Sequence, residues 1–159
     1  MPNVHDAVRI NPFASGRLDD IITQVQALLH EKTGAQDEFL TMEQDNLVRT
    51  VLEVQVPLWP ETGLAQFANL VAEPREFRGI CVSVVNCIHP EFNVDNSLRF
   101  ENNSNESKRL YIAAALAQMN PDLRRRVVSA AKTFLEHTRT EQQLGLAKII
   151  GKGISLTLS

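Results

Sequence analysis

The chain has 159 residues, of which 43% are hydrophobic, and carries a formal net charge of −3. This length suits one ordinary domain with a single core, and every apolar run is far shorter than the roughly 18 residues that cross a bilayer. The first residues lack a basic stretch followed by an apolar core, so we expect a cytoplasmic protein, with export independent of a signal peptide as the alternative.

Charge is distributed unevenly along the chain. Residues 1–103 contain 7 Lys and Arg against 15 Asp and Glu, whereas residues 104–159 contain 9 against 4. The sequence therefore joins an acidic front of charge −8 to a basic back of charge +5. Either these two parts neutralise each other in the folded chain, or the basic back meets an acidic partner.

The first fifteen residues contain prolines and show no apolar periodicity, so residues 1–15 are predicted to be a mobile arm. Residues 16–159 then form a single globular domain. The first helix is predicted by acidic residues in its first turn, Gly34 beyond its end, and an apolar stripe at three-and-four spacing. The stripe consists of Leu18, Ile21, Ile22, Val25, Leu28 and Leu29.

A second helix is predicted from about Asp37, ending before Pro57, although the alternation over 52–56 also suits a strand. Its apolar stripe consists of Phe39, Leu40, Leu47, Val48, Val51 and Leu52. Thr62 is then expected to cap a short helix, because a threonine hydroxyl can accept from the free amides of a first turn. That helix would carry Leu64, Phe67, Ala68 and Val71 on one side.

The segment from Phe77 to Ile88 is the main ambiguity. Its apolar residues fit a helix stripe with Pro74 at the first helical position, whereas its density of β-branched residues fits a buried strand. We favour the helix, which makes the fold a mainly α domain of six to seven helices. A small α+β domain is the alternative if this segment and the C-terminal tail are strands.

An Asn-rich loop covers 89–107, and helical periodicity returns from Ser107 in an Ala-rich segment. Asn120, Pro121 and Asp122 are expected to stop this helix and to cap the next, whose stripe consists of Leu123, Val127, Val128, Ala131, Phe134 and Leu135. A last short helix is predicted from the stripe Leu144, Ala147 and Ile150. Gly151 would end it, and an alternating, extended tail of Ile154, Leu156 and Leu158 would follow.

Cys81, Cys87 and His89 are residue types that ligate zinc or form a catalytic pair, but their spacing argues against both roles. Five residues separate the cysteines, and on a helix six positions turn the second about 240° from the first. We therefore expect packed thiols rather than ligands or nucleophiles. Gly145 to Gly151 also departs from the spacing of a phosphate loop, so the sequence predicts no cofactor.

The most conspicuous basic cluster comprises Arg124, Arg125 and Arg126, extended by Lys132 and Arg139. These five residues are the candidate partner-binding residues, because guanidinium groups bind carboxylates through paired hydrogen bonds. Since the three arginines fall beside the apolar stripe, we expect that replacing all three with Glu would leave the fold intact and slow binding. A solvated helix face is the plainer interpretation, and the sequence pI near 5.8 argues against nucleic acid.

No set of residues in the sequence forms a catalytic constellation. The first functional hypothesis is therefore a non-enzymatic protein-interaction module, an adaptor, regulator or secretion-related accessory factor that binds a protein through exposed helix faces. The second is an enzyme whose site assembles from sequence-distant residues. The third is nucleic-acid binding through the basic helix at Arg124 to Arg126.

The poor ligand spacing of the cysteines generates the first testable prediction. Purified protein should hold no stoichiometric transition metal, because structural metal sites need several ligands at close spacing. Elemental analysis of the purified chain measures this directly. About one zinc or iron per chain would contradict the prediction.

Overall fold

The computed structural model describes residues 12–33, 42–88 and 106–158, and within them the chain forms seven α-helices and no strand. The expected mainly α fold is confirmed, and the α+β alternative is wrong for the described residues. The helices are α1 Leu18–Thr33, α2 Met42–Leu58, α3 Leu64–Ala72, α4 Pro74–Ile88, α5 Glu106–Gln118, α6 Pro121–His137 and α7 Thr140–Leu158.

Helix α1 follows a turn that begins inside the predicted arm. Residues 1–11 lie outside the described residues, but 12–15 form a turn whose Phe13 is buried against the core. Gly16 closes this turn at φ 71°, a conformation that glycine adopts without steric cost, and its amide donates to the Phe13 carbonyl oxygen. The arm over 1–15 thus stays a prediction for its first eleven residues only.

Helix α2 is the centre of the fold and contacts five other helices. It is buried on almost every side, which explains the strand-like alternation over 52–56, since a helix surrounded by others need not keep a polar face. The expected end before Pro57 is wrong. The helix continues through Pro57 to Leu58, and the Trp59 amide still donates to the Gln55 carbonyl oxygen.

Helix α3 is capped differently from the prediction. Gly63, not Thr62, is the residue before the first helical position, and its carbonyl oxygen accepts from the Phe67 amide. The Thr62 hydroxyl accepts from Gln55 Nε2 at 2.6 Å and donates to Gln66 Oε1 at 2.8 Å. Thr62 therefore ties α3 to buried Gln55 of α2 instead of capping a helix.

Helix α4 resolves the ambiguous segment in favour of the helix, with Pro74 at its first position as expected. Phe77, Ile80, Cys81 and Val84 form its buried stripe. The helical stripe, which faces α5 and α6, therefore outweighs the β-branched density, because burial of a whole face contributes more than intrinsic propensity.

The connection from α5 to α6 agrees with the sequence. Asn120 is the N-cap of α6, its Oδ1 accepts from the Leu123 amide at 2.8 Å, and Pro121 occupies the first helical position. Helix α6 lies against α2 and α4 and buries Val127, Ala131 and Phe134. The end of α6 follows three residues after Phe134, so the predicted core stripe spans nearly the whole helix.

Helix α7 corrects the prediction twice. It runs through Gly151 and Gly153 to Leu158, so the expected helix end at Gly151 and the extended tail are both wrong. Each glycine costs a helix about 1 kcal/mol relative to alanine, which a helix already eleven residues long tolerates. The predicted stripe is correct for Ile150, which is buried, and for Ala147, which packs against the core, but wrong for Leu144, which is 47% exposed. Gln143 and Leu146 are buried in the core as well.

None of the described helices combines the length and apolar character needed to cross a membrane.

The core around Phe134 generates the second prediction. The Phe134 ring is buried edge-on against Phe77, with ring centroids 4.7 Å apart and planes at 90°. Phe134→Ala should therefore lower the free energy of unfolding by about 3–5 kcal/mol, measured by urea denaturation. Phe134→Leu, which keeps most of the volume, should cost less. If Phe134→Ala lowers the free energy of unfolding by less than about 1 kcal/mol, the prediction that Phe134 fills the core is contradicted.

Candidate interaction surfaces

Arg124, the first residue of the predicted basic cluster, serves the fold. Its side chain donates from Nε to the Leu116 carbonyl oxygen at 2.9 Å and from a terminal nitrogen to the Met119 carbonyl oxygen at 2.9 Å. These carbonyls lie at the C-terminal end of α5, where the helix supplies too few amide donors, although the Leu116 carbonyl oxygen also accepts from the Met119 amide at 3.2 Å. Arg124 therefore caps the preceding helix and does not point to a partner.

Arg126 joins three helices. Its guanidinium contacts Glu53 of α2 at 2.9 Å and Asp19 of α1 at 2.6 Å. The hydrogen bond from Arg126 holds the pKa of Asp19 below its usual range, and the same contact raises the pKa of Arg126. Arg126 is thus an internal ion-pair centre that ties the basic back to the acidic front.

The other three candidate residues remain on the surface. Within the described part of the chain, Arg125 pairs with Asp122 one turn earlier, and both side chains are largely exposed. Lys132 is exposed two turns further along α6, on the side that Arg125 occupies, and Arg139 is exposed in the turn between α6 and α7. The structure therefore divides the predicted five-residue surface into two structural arginines and three surface cations.

The ion pairs of Arg126 and Lys108 cross between the two charged parts of the sequence. Besides Arg126, Lys108 of α5 donates to Glu76 of α4 at 3.2 Å. Both contacts join a residue after position 103 to carboxylates before it. Part of the charge asymmetry is therefore neutralised within the fold, as one of the two interpretations of the sequence expects.

Helix α5 exposes an apolar surface whose residues the sequence pattern does not separate from the core side, since Leu110 and Ala117 occur in the same predicted apolar set as Ile112 and Leu116. Its inner side buries Ile112 and Leu116, while Leu110 is 61% exposed and the alanines Ala114 and Ala117 lie exposed on the same side. We call Leu110, Ala114 and Ala117 the outer stripe of α5. Because apolar residues occur on both sides of α5, periodicity gives no clear inner face, and this concealed the outer stripe.

Two aromatic side chains border the outer stripe. The rings of Trp59 and Tyr111 lie nearly parallel, with centroids 5.9 Å apart and planes at 8°. The Tyr111 hydroxyl donates to the Leu58 carbonyl oxygen at 2.7 Å, so the pair is fixed to the end of α2. Tyr111 is still 45% exposed, and the aromatic pair extends the apolar area beyond α5.

A polar cleft of about 470 Å³ lies between α2 and the α6–α7 turn. Its lining includes Glu43, Thr133, His137 and Glu141. General acid–base catalysis needs such groups within hydrogen-bond reach of one another or of the substrate. Among the described residues, His137 forms an ion pair with Glu136 at 3.7 Å. Glu136 does not line the cleft. The cleft can admit a small polar molecule, but its acid and base groups are not assembled into a pair.

The residues considered for metal binding are only partly described. Cys81 is fully buried, and desolvation raises the pKa of its thiol, which keeps it protonated and unreactive. The Cys87 side chain and His89 lie outside the described residues, as does His5. Within the described residues, no three His, Cys, Asp or Glu side chains form a group suited to a metal ion.

Of the remaining histidines, His30 is half-exposed and its Nε2 lies 2.9 Å from Asp45 Oδ2, a contact that joins the end of α1 to the start of α2. His137 is largely exposed. Neither histidine therefore lies in a catalytic arrangement.

Comparison with known proteins finds no matching family model, no similar curated protein and no similar solved structure. Function must therefore be argued from the surface of this chain alone.

The contacts of Arg126 reverse the expected effect of the arginine replacements on stability and generate the third prediction. Arg126→Ala should lower the free energy of unfolding by about 1–3 kcal/mol, because it leaves half-buried Glu53 without its cation. Arg125→Ala, the matched control on the surface, should change it by less than about 0.5 kcal/mol. Urea unfolding of the two variants measures both values.

The ion pair between Arg126 and Asp19 makes the stability of the protein depend on pH, and the sign of this dependence follows from the lowered pKa of Asp19. Because the pKa of Asp19 is lowered in the folded chain, the stability it contributes is present above the usual aspartate pKa and is lost as pH falls through the lowered value. The difference between wild type and Arg126→Ala should therefore shrink in acid. Equal losses for the Arg125 and Arg126 variants at neutral pH would contradict the assigned role.

Proposed function

We propose that the protein is a non-enzymatic protein-interaction module that binds a partner through the outer stripe of α5. The observation that carries this proposal is the exposure of Leu110, at 61%, on a helix side whose neighbouring positions are also apolar. Single exposed apolar residues are ordinary on protein surfaces, whereas a contiguous apolar area typically marks an interaction site.

The spacing of the outer stripe suits one kind of partner. Leu110, Ala114 and Ala117 stand at positions i, i+4 and i+7, the spacing by which a helix places one apolar side in a groove of another protein. The two alanines allow close approach of the partner backbone, and Leu110 is large enough to fill a pocket. The partner is therefore a protein with an apolar groove.

The side chains that border the outer stripe are held in place by contacts within the fold, which favours a role of this surface in binding. Tyr111 is held by its hydrogen bond to Leu58 and by the ring of Trp59, and Lys108 pairs with Glu76 on the adjacent helix. A surface whose side chains are already ordered loses less conformational entropy on association. The outer stripe is thus preorganised at its border.

The two alternative functions have weaker support. An enzyme would need a paired nucleophile or base, and the polar cleft offers His137 without such a pair among the described residues. The third hypothesis, nucleic-acid binding, rests on three consecutive arginines, of which Arg124 and Arg126 have partners within the fold. A single remaining surface arginine supplies few of the phosphate contacts on which such binding depends.

The fourth prediction tests the outer stripe. The double variant Leu110→Glu/Ala114→Glu should lose a protein that wild type captures from extract of the cells that produce it, because two charges would be buried in an apolar groove. Its thermal unfolding should stay close to wild type, since both positions are exposed. With the purified partner, the affinity should fall at least about tenfold.

The matched control is Met42→Glu/Ala27→Glu, which makes the same chemical change at exposed apolar positions of other helices. It should capture the partner at wild-type yield. Light scattering of the purified chain shows whether the partner is a second copy. Equal capture by all three proteins would refute the proposal. A large loss of thermal stability in the α5 variant would refute it too, since it would place the outer stripe in this chain's own packing.

A further inference from the structure

A groove of about 370 Å³ separates the beginnings of α4 and α7. Arg75 and Arg78 line one wall, and Thr140 and Leu144 line the other. The groove and the polar cleft share one lining residue, Thr138 of the α6–α7 turn. It involves neither the outer stripe of α5 nor the exposed side of α6.

Arg78 is held in place at this groove. Its terminal nitrogen donates to the Thr138 carbonyl oxygen at 3.3 Å, and its guanidinium carbon lies 5.8 Å from the centre of the Phe134 ring. A guanidinium has five N–H donors, so one bond to a carbonyl leaves most of them for a ligand. Arg78 is therefore held in position to donate hydrogen bonds to an anionic group in the groove.

Two further arginines add positive charge that exceeds the single carboxylate of the lining, Glu73. Arg75 lines the groove, and Arg139 lies between two of its lining residues, Thr138 and Thr140. Within the described residues, neither side chain makes an ion pair or a hydrogen bond. The groove is therefore electropositive, and an acidic ligand would complement it.

Two features of the lining define the ligand more closely. Leu144 is 47% exposed beside the arginines, which gives the groove an apolar contact that inorganic phosphate would not use. Glu73 also lines the groove, and its carboxylate opposes a ligand with dense negative charge such as nucleic acid. A ligand with separate carboxylates around an apolar side chain suits both features.

We infer that this groove binds an acidic peptide segment of another protein, with carboxylates on Arg75 and Arg78 and an apolar side chain on Leu144. This site is distinct from the outer stripe of α5 and does not depend on it. A protein with both sites would hold two partners at once, as an adaptor does.

The experiment follows the full chain, labelled with nitrogen-15, by nuclear magnetic resonance during titration with a blocked pentapeptide. The pentapeptide has a central leucine flanked on each side by one aspartate and one glutamate. The amide signals of Arg75, Thr140 and Leu144 should shift. A matched peptide with asparagine and glutamine should not shift them, and raising salt from about 0.05 to 0.5 M should weaken binding.

Variants separate the groove from other basic surfaces. Arg75→Glu should weaken the acidic peptide at least about tenfold, and it leaves the bond from Arg78 to Thr138 in place. Lys132→Glu makes the same charge change on the exposed side of α6 and should alter the affinity less than about twofold. Leu144→Gln should weaken the leucine peptide more than a version with central glycine.

Three results would overturn the inference. The first is an absence of shifts at millimolar peptide, and the second is shifts centred on Arg125 and Lys132. The third is an equal response to inorganic phosphate or to a single-stranded oligonucleotide at the same concentration, which would identify a general anion site. The Leu110→Glu/Ala114→Glu variant should bind the peptide like wild type, so failure of the α5 proposal and failure of this one are distinguishable.

Discussion

Side-chain donors from other helices contact the C-terminal ends of four of the seven helices that the structure describes. The connections are too short for the usual glycine cap, since one residue joins α3 to α4, and two residues each join α5 to α6 and α6 to α7. The exposed carbonyls of these ends must still be satisfied. The donors are Tyr111 for α2, Gln143 for α3, Arg124 for α5 and Arg78 for α6.

This arrangement explains which polar residues are available for function. Gln143 is only 1% exposed, and its amide donates to the Leu70 and Val71 carbonyl oxygens at 3.1 and 3.0 Å, so a polar residue is required inside the core. Arg124 is likewise committed to α5. Residues that neither cap a helix nor fill the core, such as Leu110 and Arg75, keep their chemistry for a partner. Arg78 does so as well, because its one bond to the Thr138 carbonyl oxygen leaves further N–H donors.

Local sequence signals predicted the elements that depend on local interactions. The stripe of α1, the Asn120 cap of α6 and Pro74 at the start of α4 were all readable, because their contacts lie within one or two turns. The inward position of Gln143 was not, since its acceptors lie 72 and 73 residues away in sequence. The sequence pattern therefore predicts Leu144, rather than Gln143, as a core residue. Leu144 is instead exposed and lines the electropositive groove.

The charge map failed for a related reason. It correctly anticipated that opposite charges could meet within the fold, yet it directed attention to Arg124, whose donors are used by backbone carbonyls, and to Arg126, whose charge is paired with Asp19 and Glu53. The electropositive groove is instead lined by Arg75 and Arg78 of the acidic front, and Arg139 of the basic back adjoins it in the α6–α7 turn. Adding up charges along the sequence cannot reveal this surface, because its cations come from both the acidic front and the basic back. The packing of α4 beside the α6–α7 turn brings them together.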